Sequence, residues 1–150
     1  MIPVITPTHS ISPLRLHHVG VLVADIPTEV ERYVNRFGYE VRSDLIHDPV
    51  QTAFVQFVSL VSDPIYLEFV APDGPNSKLS NALRKGGGVN HLCYSTQRID
   101  DSVQQLWESG MFVLQSPVPA TAFRGRKIAW LMGSDSVPIE LVERGLENEI

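Results

Sequence analysis

Cysteine is nearly missing from this 150-residue chain. Cys93 stands alone, so no internal disulfide can form and a cysteine-rich zinc site is excluded. Long apolar runs are missing as well, since none reaches the roughly 18 residues of a membrane span. Residues 1–7 show no basic segment followed by an apolar one, which predicts no secretory signal and a cytoplasmic location. Positive charge is scarce. Twelve Lys and Arg against 17 Asp and Glu leave a formal net charge of −5, which argues against a general affinity for nucleic acid but not against a small-molecule substrate. What remains, 43% hydrophobic and 19% charged, suits one ordinary domain with a proper core.

The chain contains an internal repeat. Leu16-His17-His18-Val19-Gly20-Val21-Leu22-Val23 lies over Val89-Asn90-His91-Leu92-Cys93-Tyr94-Ser95-Thr96, with an offset of 73 between the histidines. Tyr66-Leu67-Glu68-Phe69-Val70 lies over Pro138-Ile139-Glu140-Leu141-Val142 at an offset of 72. Two matches whose offsets agree to within one residue imply duplication of a whole unit. Each unit reads as βαβββ. In the first, a strand over residues 16–24 leads to Asp25 and Pro27, a helix start. Val30, Tyr33, Val34 and Phe37 then mark one helix face, and Gly38 ends it. Strands are expected over 39–46, 52–60 and 65–70. In the second, a strand over 89–96 precedes a helix carrying Val103, Leu106 and Trp107, stopped by Gly110. Strands follow from Phe112, over 127–132 and over 137–142. Turns are expected at Asp48-Pro49, 62–64 and 133–135. The first module covers about 14–72, the linker with a short helix (76–85) covers 73–86, and the second module covers about 87–144. Residues 1–13 read as an arm.

The repeat singles out four polar residues inside apolar strands: His18, Glu68, His91 and Glu140. Burying a glutamate in a hydrophobic strand is costly unless it is paired or binds a metal, and here the pattern occurs twice. If the units pack about a pseudo-twofold axis, two imidazoles and two carboxylates meet at one point. That mixed set suits one divalent ion, Zn²⁺, Ni²⁺, Co²⁺, Mn²⁺ or Fe²⁺. His17, next to His18, is expected on the opposite sheet face as a structural residue, with His47 in a loop and Tyr94 under the second helix. Gln56 is a candidate substrate contact if it faces the cleft. Arg126 and Lys127, in the run Arg124-Gly125-Arg126-Lys127, are candidates for binding a phosphate or carboxylate.

Together with Gly125-Arg126-Lys127-Ile128-Ala129-Trp130-Leu131, these segments resemble the vicinal oxygen chelate superfamily, and within it the methylmalonyl-CoA epimerase-like proteins. The resemblance runs over residues 14–144. It implies an α+β fold in which two tandem βαβββ modules form a curled mixed sheet around a metal cleft, commonly in a homodimer. It implies the same four ligands, with Glu68 or Glu140 as the catalytic base. The implied reaction is isomerisation or epimerisation next to a carbonyl, on an acyl-CoA. A glyoxalase-type lyase reaction is the alternative. An extradiol dioxygenase or a ligand-sequestering protein ranks lower, because a fourth ligand is present and the metal residues are kept. Some epimerases of this kind carry a third-strand glutamate, and the matching stretch 52–56 holds no carboxylate.

Overall fold

Apolar residues at every second position define the strands, and the parity of burial says which face each strand turns to the core. In the structure, a computed structural model describing residues 1–6, 13–134, 137–146 and 149–150, these strands join one mixed sheet. The elements in chain order are β1 Arg15–Leu22, α1 Ile26–Phe37, β2 Glu40–Val41, β3 Ile46–Asp48, β4 Ala53–Ser59 and β5 Tyr66–Pro72. There follow α2 Ser80–Arg84, β6 Gly88–Thr96, α3 Ile99–Glu108, β7 Phe112–Pro119, β8 Lys127–Met132 and β9 Ile139–Glu143. The strand order is β2-β4-β5-β1-β6-β9-β8-β7, with β3 paired to β4. The two ends of this order are not paired, so the sheet curls without closing.

The two halves meet at the antiparallel pair β1·β6. Val19 faces Leu92, its own equivalent in the repeat, so the pseudo-twofold axis passes through that pair. Within each half the first strand runs parallel to the last. Gly20 faces Glu68 on β5, and Cys93 faces Glu140 on β9, at equivalent registers. Helix α1 packs Ile26 and Val30 on Val58 and Phe69, and α3 packs Ile99 on Ala129, Leu131 and Leu141, with Tyr94 beside them as expected. The opposite, concave face carries Val55, Phe57, Val70, Cys93, Ile128 and Val142, and Phe123, from the turn at Thr121–Phe123, packs against them. None of the described helices is long and apolar enough to cross a membrane.

Several expectations need correction. The strand expected over 39–46 is two short strands, β2 and β3. Ser43 Oγ accepts the Phe57 N–H that a strand carbonyl would take, and the ladder breaks there. The helix faces are narrower than their periodicity suggests: Val34 and Phe37 are 37% and 59% exposed, and Trp107 is 57% exposed. The sheet covers only the middle of each stripe. The linker helix shortens to residues 80–84 because the preceding chain forms turns around the Ser77 hydroxyl. His47 lies in β3 and not in a loop, with its Nε2 2.9 Å from Asp73 Oδ2. Gly38 does end α1, with a positive φ of 76°. The expected turn over 133–135 and the arm over 1–13 fall partly outside the described residues.

Candidate metal centre

Strand parity turns His18, Glu68, His91 and Glu140 to the concave face. Pairing across β5-β1-β6-β9 brings the four together, all nearly fully buried. His18 Nε2 and His91 Nε2 are 3.0 Å apart. Glu140 Oε2 lies 3.3 and 3.2 Å from these two nitrogens, and Glu68 Oε1 lies 3.7 and 3.4 Å away. Bonds of about 2.0–2.2 Å to one ion put neighbouring donor atoms about 3.0–3.5 Å apart. Four of the separations, 3.0 to 3.4 Å, fall in that range, and His18 to Glu68, at 3.7 Å, lies just beyond it. The charges fit as well. Among the described residues the ion-pair partners of Glu68 and Glu140 are the two imidazoles alone. Two carboxylates buried in one apolar shell call for a compensating cation.

Without a metal, the cluster's own electrostatics show the same demand. Burial opposes ionisation of Glu140, yet hydrogen bonds and charge from His18 and His91 outweigh it and hold the carboxyl at about 2. Burial likewise disfavours a charged His91, but Glu140 and Glu68 raise it to about 9. The carboxylates thus attract positive charge strongly enough to protonate a buried imidazole.

Each histidine has a matched setting. Phe57 stands edge-on to His18, with centroids 5.4 Å apart and rings at 77°. Trp130, the equivalent position in the second half, stands edge-on to His91 at 4.8 Å and 77°. Gly20 is required by the His91 ring, because a Cβ there would lie 2.1 Å from His91 Cε1. Its equivalent is Cys93, which is fully buried; burial pushes its thiol well above the usual range, and nothing makes it a nucleophile.

His17 is not on the opposite face, contrary to the alternation of a regular strand. Leu16 pairs with Tyr94 and His18 with Cys93, so His17 is an extra, bulged residue on β1. Its ring lies 5.0 Å from that of His18 and 5.6 Å from Phe123. Burial, then the charge of His18, lowers its pKa to about 3, so it is a neutral imidazole.

A cleft opens on the cluster, lined among others by Glu68, His91, Glu140, Trp130, Gln51 and Asp48. Gln56 does not line it. It shares the helix-side face of β4 with Phe54 and Val58, and its amide donates to Ser43 O. Strand parity places it there, against the expectation that it contacts substrate. Asp48 is the residue that sequence reasoning missed. It is 3% exposed, and its Oδ1 accepts the N–H groups of Val50 and Gln51. Standing before a proline, it carries the signal of a turn and nothing that marks a cleft. Trp130 Nε1 is buried with no acceptor among the described residues. A second, wider cleft shares Ala122 and Phe123 with the first and is lined by Arg42, Arg124 and Arg126. Arg126 there donates to Glu143 O and Ile150 O, whereas the exposed Lys127 lines neither cleft.

Known proteins share this architecture. A hypothetical protein from Bacillus halodurans superposes with a TM-score of 0.80 at 23% identity, over 91% of this chain and 99% of that one. A variant of Streptomyces coelicolor methylmalonyl-CoA epimerase, in complex with 2-nitronate-propionyl-CoA, superposes with a TM-score of 0.78 at 26% identity, over 94% and 99%. The ethylmalonyl-CoA/methylmalonyl-CoA epimerase of Cereibacter sphaeroides is 31% identical over 81% of this chain and 90% of its own length. Residues 17–130 match the family model of the glyoxalase/bleomycin resistance protein/dioxygenase superfamily. The paired βαβββ halves, the cleft at their seam and these matches agree, and the chain belongs to the glyoxalase/bleomycin resistance protein/dioxygenase superfamily.

Proposed function

We propose that this protein is a metal-dependent epimerase that moves a proton at a carbon next to a carbonyl, on an acyl-CoA of the methylmalonyl-CoA class. The observation that carries the reading is the buried His18–Glu68–His91–Glu140 cluster, opening on a cleft whose wall holds a further carboxylate, Asp48. The epimerase relatives support the substrate class.

The four residues would hold one Zn²⁺, Ni²⁺, Co²⁺, Mn²⁺ or Fe²⁺. When bound, the ion supplies Lewis-acid stabilisation for negative charge on the substrate's carbonyl oxygen. Glu68 or Glu140 takes the α-proton. Inverting the carbon needs a second group that delivers a proton to the other face. Asp48 fills that role: it lines the same cleft but sits on β3, two strands away from Glu68 on β5. It supplies from a neighbouring strand the carboxylate that β4 lacks. The Trp130 N–H is a donor for a substrate oxygen. Arg42, Arg124 and Arg126 in the adjoining cleft would take the anionic end of the coenzyme.

The test is solvent deuterium exchange into methylmalonyl-CoA with zinc-, cobalt- and nickel-loaded protein. Exchange at the α-carbon together with interconversion of the epimers is expected. Asp48→Asn should keep exchange on one epimer while slowing interconversion by about 10²–10⁴-fold. Absence of exchange, with turnover of the methylglyoxal–glutathione hemithioacetal instead, would replace this reading with a glyoxalase-type lyase.

A further inference from the structure

The pair β1·β6 contains two register breaks, and they are related by the repeat. On β1, Leu16 faces Tyr94 and His18 faces Cys93, which leaves His17 as the extra residue. On β6, Gly20 faces His91 and Val21 faces Val89, which leaves Asn90 as the extra residue. His17 and Asn90 occupy equivalent positions, each immediately before a histidine of the cluster. In a regular strand the residue before a histidine points to the other face. A bulge re-aims it, and here both bulged side chains reach the histidine that follows. His17 Nδ1 is 2.8 Å from His18 Nδ1, and Asn90 Oδ1 is 2.8 Å from His91 Nδ1.

These contacts have a chemical consequence. A neutral imidazole carries one proton, and whichever nitrogen keeps it cannot coordinate a metal. Asn90 Oδ1 only accepts, so His91 Nδ1 is the donor, and Nε2, which faces the cluster, is the nitrogen that gives up its proton to a metal ion. At His18 the Nε2 also faces the cluster. It has a free lone pair only if Nδ1–H donates and His17 Nδ1 accepts.

We infer that His17 and Asn90 are positioning residues: through the paired bulges each holds the Nδ1 proton of the next histidine, so that Nε2 of both His18 and His91 is presented to a metal ion. The inference rests on the metal reading of the cluster and adds residues outside its four ligands. It also explains why two bulges persist at matched places in the central pair of the sheet, where each interrupts the ladder.

The test is zinc affinity by competition with a chromogenic chelator. It is read beside long-range ¹H–¹⁵N spectra of the imidazole rings in the zinc-loaded protein. His17→Leu and Asn90→Leu should each weaken zinc binding about 10- to 100-fold. The spectra should show that the following histidine no longer holds its proton on Nδ1 alone. His17→Asn, which copies the second half into the first, should recover affinity to within about threefold of the unaltered protein and restore the Nδ1 proton. This variant also guards against a loss caused by misfolding. The inference is overturned if His17→Leu and Asn90→Leu bind zinc as the unaltered protein does with unchanged ring spectra, or if His17→Asn loses as much affinity as His17→Leu. Failure of the unaltered protein itself to bind zinc would instead overturn the metal reading, and this inference with it.

Discussion

The two halves supply the same candidate ligands from different surroundings. His18 is set by His17, Phe57 and Cys93, and His91 by Asn90, Trp130 and Gly20. Ligand and ladder geometry is preserved between the halves, down to the bulge and the edge-on ring. The chemistry of each supporting residue is not: a hydrogen-bonding imidazole answers an amide, a phenyl ring answers an indole, and a thiol answers a bare Cα. The two halves therefore share the donor geometry that one ion would demand.

That comparison can be broken in order of expected effect. His18→Ala and His91→Ala should cost zinc affinity equally, and by more than the roughly 100-fold that a supporting hydrogen bond costs. Zinc titration of both variants checks this, and a large inequality between them would end the claim of equivalent ligands. Gly20→Ala and Cys93→Ala come next, at equivalent positions with opposite outcomes. The added Cβ at Gly20 collides with the His91 ring and should lower zinc affinity about 100-fold or more. Cys93→Ala should keep zinc binding while destabilising the protein by about 1–2 kcal/mol in urea unfolding. Trp130→Phe gives the second half the ring of the first. It keeps an aromatic ring beside His91 while removing the N–H and part of the indole's bulk, so KM for methylmalonyl-CoA should rise by about 5- to 10-fold. Gln56→Ala should change turnover by less than about twofold, because its amide faces Ser43 and not the cleft. A large loss of turnover would reinstate it as a substrate contact.

The clustering of His18, Glu68, His91 and Glu140 was legible in the sequence because a carboxylate in an apolar strand is expensive, and the repeat made the expense visible twice. The helices and most strands followed from periodicity and from Gly38 and Gly110. Much of what was not legible turns on strand parity or pairing. Alternation puts His17 on the wrong face because it assumes an unbroken ladder, and a bulge adds one residue without marking itself in composition. Gln56 depended on the parity of β4, which is fixed by Val55 and Phe57 turning inward. The split of β2 from β3 depended on one serine hydroxyl at Ser43. Asp48 reaches the cleft only because β3, a three-residue strand, hangs on β4 beside it.

The seam between β1 and β6 has a consequence for how the chain acquires its structure. Residues that face each other there are about seventy positions apart in sequence, and each half alone contributes one imidazole and one carboxylate. No local segment can assemble the full set of donors. Contacts this distant in the chain slow folding, and the complete set exists only once β1 and β6 have paired.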